Sequence, residues 1–206
     1  MAIVVEHDKR RADILQKALD VFVEEGFENA TFQKIADRCG ITRTTLYLYF
    51  RNRREIFNYS IKQLLSGVET DILGVREDRS LSCPEKLAKT LALILGRLEE
   101  NRRLLRVILD YLLSLSRTGA DRAGDRGESP ADTRVRRRTI RLRHILATMV
   151  IEGIKAGELK KTAVGAADDL LYGLIEAAIF RLAVLKRRSA AELAEAAALA
   201  VRSLEA

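Results

Sequence analysis

The sequence predicts an all-α protein of about nine helices, and three observations carry that expectation. Apolar residues recur every three or four positions along most of the chain, the spacing that gathers them on one helical face. Leu, Ala, Arg and Glu, all good helix formers, dominate the composition, and only two prolines interrupt 206 residues. Start and stop residues frame the periodic runs: Thr31, Thr42, Ser82 and Ser189 precede them, and Gly26, Gly40 and Gly157 follow them.

Taken in order, residues 1–8 read as a loose tail. A first helix over 9–25 aligns Ile14, Ala18 and Phe22, with Leu15 and Leu19 beside them, and Gly26 stops it. Over 31–39, Phe32, Ile35, Ala36 and Cys39 form a buried stripe. The Thr31 hydroxyl caps that helix, and Gly40 supplies the left-handed residue that ends it. Thr42 caps a second short helix whose Leu46 and Phe50 face back towards the first. Two short helices across so tight a turn form a helix-turn-helix.

A turn at Arg51 and Asn52 leads into a long helix from Arg53, held in register by Phe57, Ile61, Leu64, Leu65, Val68 and Ile72. It joins the N-terminal module to the remainder and has the layout of a lever. Ser82 and Glu85 are spaced as a capping box, with Pro84 in the first turn of a helix to about residue 100. A leucine-rich helix covers 103–117, and the glycines of 118–129 mark a mobile loop. Pro130 opens a helix closed by Gly157. The stretch 166–186 is apolar on nearly all sides, and a second Ser-x-x-Glu box at Ser189 and Glu192 opens a last helix to 204. The expected domains are 1–54, the helix-turn-helix module, and 55–206, a helical bundle.

Composition narrows the chemistry. A net charge of +7 and a pI near 9.6 suit a polyanionic partner. Two distant cysteines make no disulfide framework, which suits a reducing interior. The N-terminal apolar run is too short for a signal peptide, and no stretch has the length and apolarity of a membrane span, so a soluble cytoplasmic protein without a membrane partner is expected. Neither His7 nor His144 has a second metal ligand at a workable spacing, and neither a phosphate-cradling glycine loop nor a nucleophile elbow occurs. The chain therefore reads as no enzyme, with no metal and no cofactor.

The exposed side of the helix-turn-helix carries the functional chemistry. Thr42, Arg43, Thr44, Thr45, Tyr47 and Tyr49 set hydroxyls and a guanidinium along its second helix, groups that hydrogen-bond phosphate oxygens and base edges. From Arg38 to Arg54 there are five arginines (38, 43, 51, 53 and 54) and no carboxylate. A generic helix pair with a solvated basic face would share the charge, but not the coincidence of cap, turn glycine and buried stripe.

With these residues in view, the segment Arg11–Phe57 resembles the N-terminal DNA-binding domain of the TetR family of bacterial transcriptional regulators. The matching residues are Glu25-Gly26-Phe27, Ala30-Thr31, Ile35-Ala36, Gly40-Ile41 and Thr45-Leu46-Tyr47-Leu48-Tyr49-Phe50. Arg53 stands where the family usually has lysine, which keeps the charge. The resemblance covers about a quarter of the chain. It implies base contacts from Thr42, Arg43 and Thr44 with Gln33 assisting, and phosphate contacts from Thr31, Thr45, Tyr47, Tyr49 and Arg53. For Tyr47 a packed-core role stands beside the phosphate one. Phe32 falls where some relatives use a polar phosphate contact, and a phenyl ring cannot make one. The implied partner is a palindromic operator in double-stranded DNA, bound by a homodimer and released by a small apolar effector. A protein of the same fold without an effector, governed by protein partners or assembly, is the alternative.

The body offers weaker signals. Leu95, Leu109, Leu112, Leu113, His144 and Met149 are candidate pocket residues, since apolar pockets form between bundled helices, and ordinary core is the competing reading for each. Leu171, Leu174, Ala178, Leu182, Leu193, Ala197, Ala200 and Leu204 are the candidate dimer surface, a monomeric bundle being the competing reading. Cys39 is expected buried and inert. Cys83 stands at a helix start, which lowers a thiol pKa, so redox sensing is weighed against a bystander thiol. The six arginines of 134–143 fit a solvated face better than a second nucleic-acid surface.

Overall fold

The computed structural model describes residues 2–118, 130–185 and 191–206. Their helices are α1 (Ala2–Asn29), α2 (Phe32–Cys39), α3 (Arg43–Tyr49), α4 (Arg53–Glu77), α5 (Cys83–Glu100), α6 (Arg102–Thr118), α7 (Pro130–Ala156), α8 (Val164–Ile179) and α9 (Ala191–Leu204). Among the described residues the only β pairing is an isolated bridge between Leu159 and Glu205. The predicted mobile loop and the Ser189 cap lie outside the described residues.

The boundaries follow the sequence closely, with four differences. Residues 2–8 are helical rather than a tail, since neither Gly nor Pro stands before Gly26 to stop α1. Gly26 breaks α1 at φ 77° and ψ 164°, a region open only to glycine, and a last turn continues to Asn29. α4 passes through Gly74 to Glu77 instead of ending near Ile72; a single exposed helical glycine costs about 1 kcal/mol against alanine, too little to end a long helix. α8 starts two residues early and gives way at Phe180–Val184 to a π turn, closed by the Leu185 N–H donating to the Phe180 carbonyl at 3.1 Å.

Two compact units emerge. The first comprises Met1–Ser66 with α6 from Arg106 onward, and the second Gly67–Leu105 with α7, α8 and α9. The expected boundary at residue 54 falls just inside α4, which contributes residues to both units.

The first unit buries Ile14, Ala18 and Phe22 of α1 against Ile35 and Ala36 of α2, Leu46 of α3, and Ile56 and Phe57 of α4. Its aromatic centre joins Phe22, Phe27, Phe57 and Tyr111, with ring centroids 4.4–5.9 Å apart. Such aromatic pairs, stacked, edge-on or tilted, add about 0.5–1.5 kcal/mol each beyond area burial. The buried Ser60 hydroxyl donates to the Leu15 carbonyl at 2.9 Å, tying α4 to α1.

The second unit is a bundle of α5, α7, α8 and α9 with the end of α4. Leu87, Leu91, Ile94, Leu146, Met149, Leu171, Ile175, Leu182, Leu193 and Val201 fill its core. The Ser82–Glu85 capping box forms as expected. After α7 the chain is pinned to the C-terminus, Lys160 N–H donating to Leu204 O at 2.9 Å and Ala206 N–H to Glu158 O at 3.1 Å.

Candidate nucleic-acid interface

Local chemistry builds the reading head. The Thr31 hydroxyl accepts from the Lys34 N–H at 3.2 Å and the Thr42 hydroxyl from the Thr45 N–H at 3.1 Å, so both threonines cap their helices. Gly40 adopts φ 66° and ψ 33°, its N–H bonding back into α2, and the chain reverses in three residues. Phe32, Ile35, Ala36, Cys39, Leu46 and Phe50 are all buried, as expected.

The structure places the base-contact candidates together. Thr42, Arg43 and Thr44 are exposed along the start of α3. Arg43 donates to the Tyr47 hydroxyl at 3.1 Å, with its guanidinium 5.7 Å from that ring. Gln33 is exposed on α2 and donates to Asp37 at 2.7 Å, an i,i+4 bond within its own helix.

The phosphate candidates divide. Thr31 and Thr45 are committed to the caps, Thr45 Oγ1 lying 2.8 Å from Thr42 Oγ1. Tyr47 is 50% exposed and stacks on buried Phe32 at 4.6 Å, so its hydroxyl end is free of the core. Tyr49 is half-buried and stacks on His7 at 4.7 Å, a contact supplied by the helical start of α1 where a tail was expected. Arg53 is engaged at home: it pairs with Glu28 at 2.8 Å and lies 4.6 Å from the Phe27 ring.

That pairing revises the one-sign face. The stretch 38–54 carries no carboxylate of its own, but α1 supplies them: Glu24 pairs with Arg38, Glu28 with Arg53, and Glu25 with Lys34 at 2.6 Å. Arg38 holds the Glu24 carboxyl below its ordinary pKa. The positive surface is therefore concentrated on α3 and the turn after it. Two further residues escaped the sequence reading. Arg11 sits between Phe50 and Tyr59, 5.2 and 4.4 Å from the rings, and Leu48 projects from α3 at 77% exposure.

The remaining candidates belong to helices outside the helix-turn-helix. Of the six pocket residues, Leu95 and Met149 are in the second unit's core, while His144 is exposed in the same unit. Leu109, Leu112 and Leu113 belong to the first unit, half-buried or exposed. Of the eight dimer-surface residues, Leu171, Ala178, Leu182, Leu193, Ala197 and Leu204 are buried inside their own chain, while Leu174 and Ala200 are half-buried against that core. The same helices and the π turn instead expose Leu170, Phe180, Val184, Leu185 and Leu199.

Cys39 is buried, which raises its thiol pKa. Burial also pushes the Cys83 thiol up, and the Glu158 carboxylate at the same helix start adds to it, against the lowering expected of a helix N-terminus. In the basic run, Arg141 pairs with Glu69, and Arg143 with Asp168 and Asp169. Among the described residues no His, Cys, Asp and Glu cluster could hold a metal ion, and no helix is long and apolar enough to cross a membrane.

The three helices α1, α2 and α3, with the caps and the sharp Gly40 turn, constitute a helix-turn-helix. Residues 14–59 match the family described as bacterial regulatory proteins, tetR family. Related proteins include the HTH-type transcriptional activator FasR of Mycolicibacterium smegmatis, 32% identical over 76 residues, or 35% of each chain. The fatty acid metabolism regulator protein of Bacillus subtilis is 30% identical over 83 residues, 38% of this chain and 40% of that one. A probable acrEF/envCD operon repressor of Escherichia coli is 26% identical over 106 residues, 48% of this chain and 47% of that one. The matched stretches thus span about a third to a half of these relatives. Over nearly the whole chain the fold resembles a TetR transcription regulator from Haloarcula marismortui, with TM-score 0.81, 19% identity, and coverage of 97% and 100%. It also resembles FadR from Bacillus subtilis, solved with stearoyl-CoA, with TM-score 0.67, 21% identity, and coverage of 92% and 96%.

Proposed function

We propose that this protein is a sequence-specific DNA-binding transcriptional regulator, a homodimeric repressor that leaves its operator when a small apolar ligand binds the helical body. The observation that carries the DNA-binding part is α3 itself. It is a short helix capped by Thr42 and anchored by buried Leu46 and Phe50, and it presents Arg43, Thr44 and Tyr47 to solvent. Such a helix enters the major groove, and a dimer sets two of them about 34 Å apart on a palindrome.

The dimer surface we assign to the apolar side chains that α8, the π turn and α9 leave exposed, Leu170, Phe180, Val184, Leu185 and Leu199, with half-buried Leu174 and Ala200 beside them. Exposed apolar side chains on two neighbouring helices favour association of like with like. Arg53 serves the phosphate backbone by exchanging its Glu28 partner for a phosphate oxygen when DNA arrives. The ligand acts by biasing α4 between two positions and so changing the separation of the two reading heads. A coupling of about 1–3 kcal/mol is typical of such switches. Apolar ligands with a long acyl chain are the first class to try, because FadR of Bacillus subtilis was solved with stearoyl-CoA and a fatty acid metabolism regulator is among the relatives.

The test is selection of genomic fragments by the purified protein, followed by titration of apolar ligands against the selected site. A two-fold symmetric motif, bound by a dimer and released by one ligand class, is the expected result. Binding governed by salt alone, without a motif, would refute sequence-specific regulation. A motif whose affinity no ligand changes would replace the effector by a protein partner or assembly.

A further inference from the structure

Leu48 is the most exposed large apolar side chain among the described residues, at 77%, and it stands in the middle of the surface that otherwise carries hydroxyls and a guanidinium. Helical geometry says where it points. At about 100° per residue, Thr44 and Leu48 each lie about 160° from Leu46, in opposite senses, and about 40° from each other. Leu46 is fully buried, so Thr44 and Leu48 straddle the direction opposite the core and form the outermost crest of α3. Arg43 and Tyr47, hydrogen-bonded to each other, occupy one flank of that crest, and Thr45 and Tyr49 the other.

The crest reaches deepest into a groove that α3 enters, and its side chains are a methyl-bearing threonine and a leucine. A leucine can neither donate nor accept a hydrogen bond, so it gains nothing from phosphates or from the polar edges of bases. The apolar feature of a major-groove floor is the C5-methyl group of thymine. We infer that Leu48 is a specificity-determining residue that packs on a thymine methyl at a fixed position of each half-site, with the Thr44 methyl beside it. The inference rests on the proposed DNA-binding function and deepens it.

The experiment uses the full-length protein and its selected motif. Each thymine is replaced singly by deoxyuridine, which removes only the C5-methyl and leaves pairing intact. Dissociation constants are measured for the wild type and for Leu48→Ala, a change at an exposed position that takes nothing from the core. At one thymine per half-site, deoxyuridine weakens the wild type about fourfold, the value of burying one methyl group. Leu48→Ala loses a comparable factor on the thymine operator and is indifferent to deoxyuridine at that position. The inference is overturned if no thymine is methyl-sensitive, or if Leu48→Ala keeps the same sensitivity as the wild type. Failure to select any motif would overturn sequence-specific binding itself, a different result from a motif with silent methyls.

Discussion

Gly153→Ala should destabilise the protein, although alanine is the better helix former. Gly153 lies in α7, where a Cβ would meet Leu159 Cδ1 at 2.6 Å, Leu159 Cγ at 2.7 Å and Cys83 Cβ at 2.9 Å. Cys83 opens α5 behind the Ser82 capping box, and its N–H donates to the Glu158 carboxylate. Leu159 is buried, its N–H donates to the Gly153 carbonyl at 3.1 Å, and its backbone pairs with Glu205. Neither neighbour can swing aside freely. Overpacking of this kind costs about 1–3 kcal/mol, and the helix propensity of alanine returns about 1 kcal/mol. The net loss is therefore up to about 2 kcal/mol, or several degrees in Tm at roughly 2–4 °C per kcal/mol for a chain of this size. Gly74→Ala in α4 is the control, because no atom lies within 4 Å of the added methyl. It should gain about 0.5–1 kcal/mol by propensity alone. Thermal and urea unfolding followed by circular dichroism read both variants. Equal shifts of the same sign would refute the packing argument.

Other perturbations probe the head and the body. Arg43→Ala should relax base preference at particular positions and cost about 1–3 kcal/mol on the selected site; a uniform loss over all sequences in competition binding would remove Arg43 from the base contacts. Arg76 holds the Glu152 carboxyl below its ordinary pKa across a pair at 2.5 Å, linking α4 to α7. The contribution is therefore complete above the unfolded carboxyl range and is lost as pH falls through the lower folded value. Both groups are partly exposed, so solvent screening limits the effect, and Glu152→Gln should cost no more than about 0.5 kcal/mol at neutral pH. That difference should close on acidification below about pH 4, measured by urea unfolding at several pH values. The Cys83 thiol, raised by burial and by Glu158, should alkylate more slowly at neutral pH than a free cysteine. Glu158→Gln should speed the reaction, and a wild-type rate equal to that of free cysteine would count against the assigned environment.

Much of this was legible in local sequence because local forces set it. Thr31, Thr42 and Ser82 cap helices by bonds three residues long, and Gly40 and Gly26 adopt backbone angles that other residues avoid. Helical periodicity likewise foretold the buried stripe from Phe32 to Phe50. Even the exposure of Leu48 was encoded in its distance from Leu46, though the eye goes first to the polar residues around it.

Other features only tertiary structure decided, because they join residues far apart in the chain. The arginines of 38–54 seemed free of carboxylates until α1 folded Glu24 and Glu28 against them. A helix start predicted an acidified thiol at Cys83, but burial, with Glu158 brought in from beyond α7, reverses the sign. The apolar run of α8 announced two buried faces without saying which belonged to its own chain. Packing against α5, α7 and α9 buries Leu171, Ala178 and Leu182 and leaves Leu170 and Phe180 outside. Periodicity gives the angle between two side chains on one helix, but only the neighbouring helices settle which direction is inward.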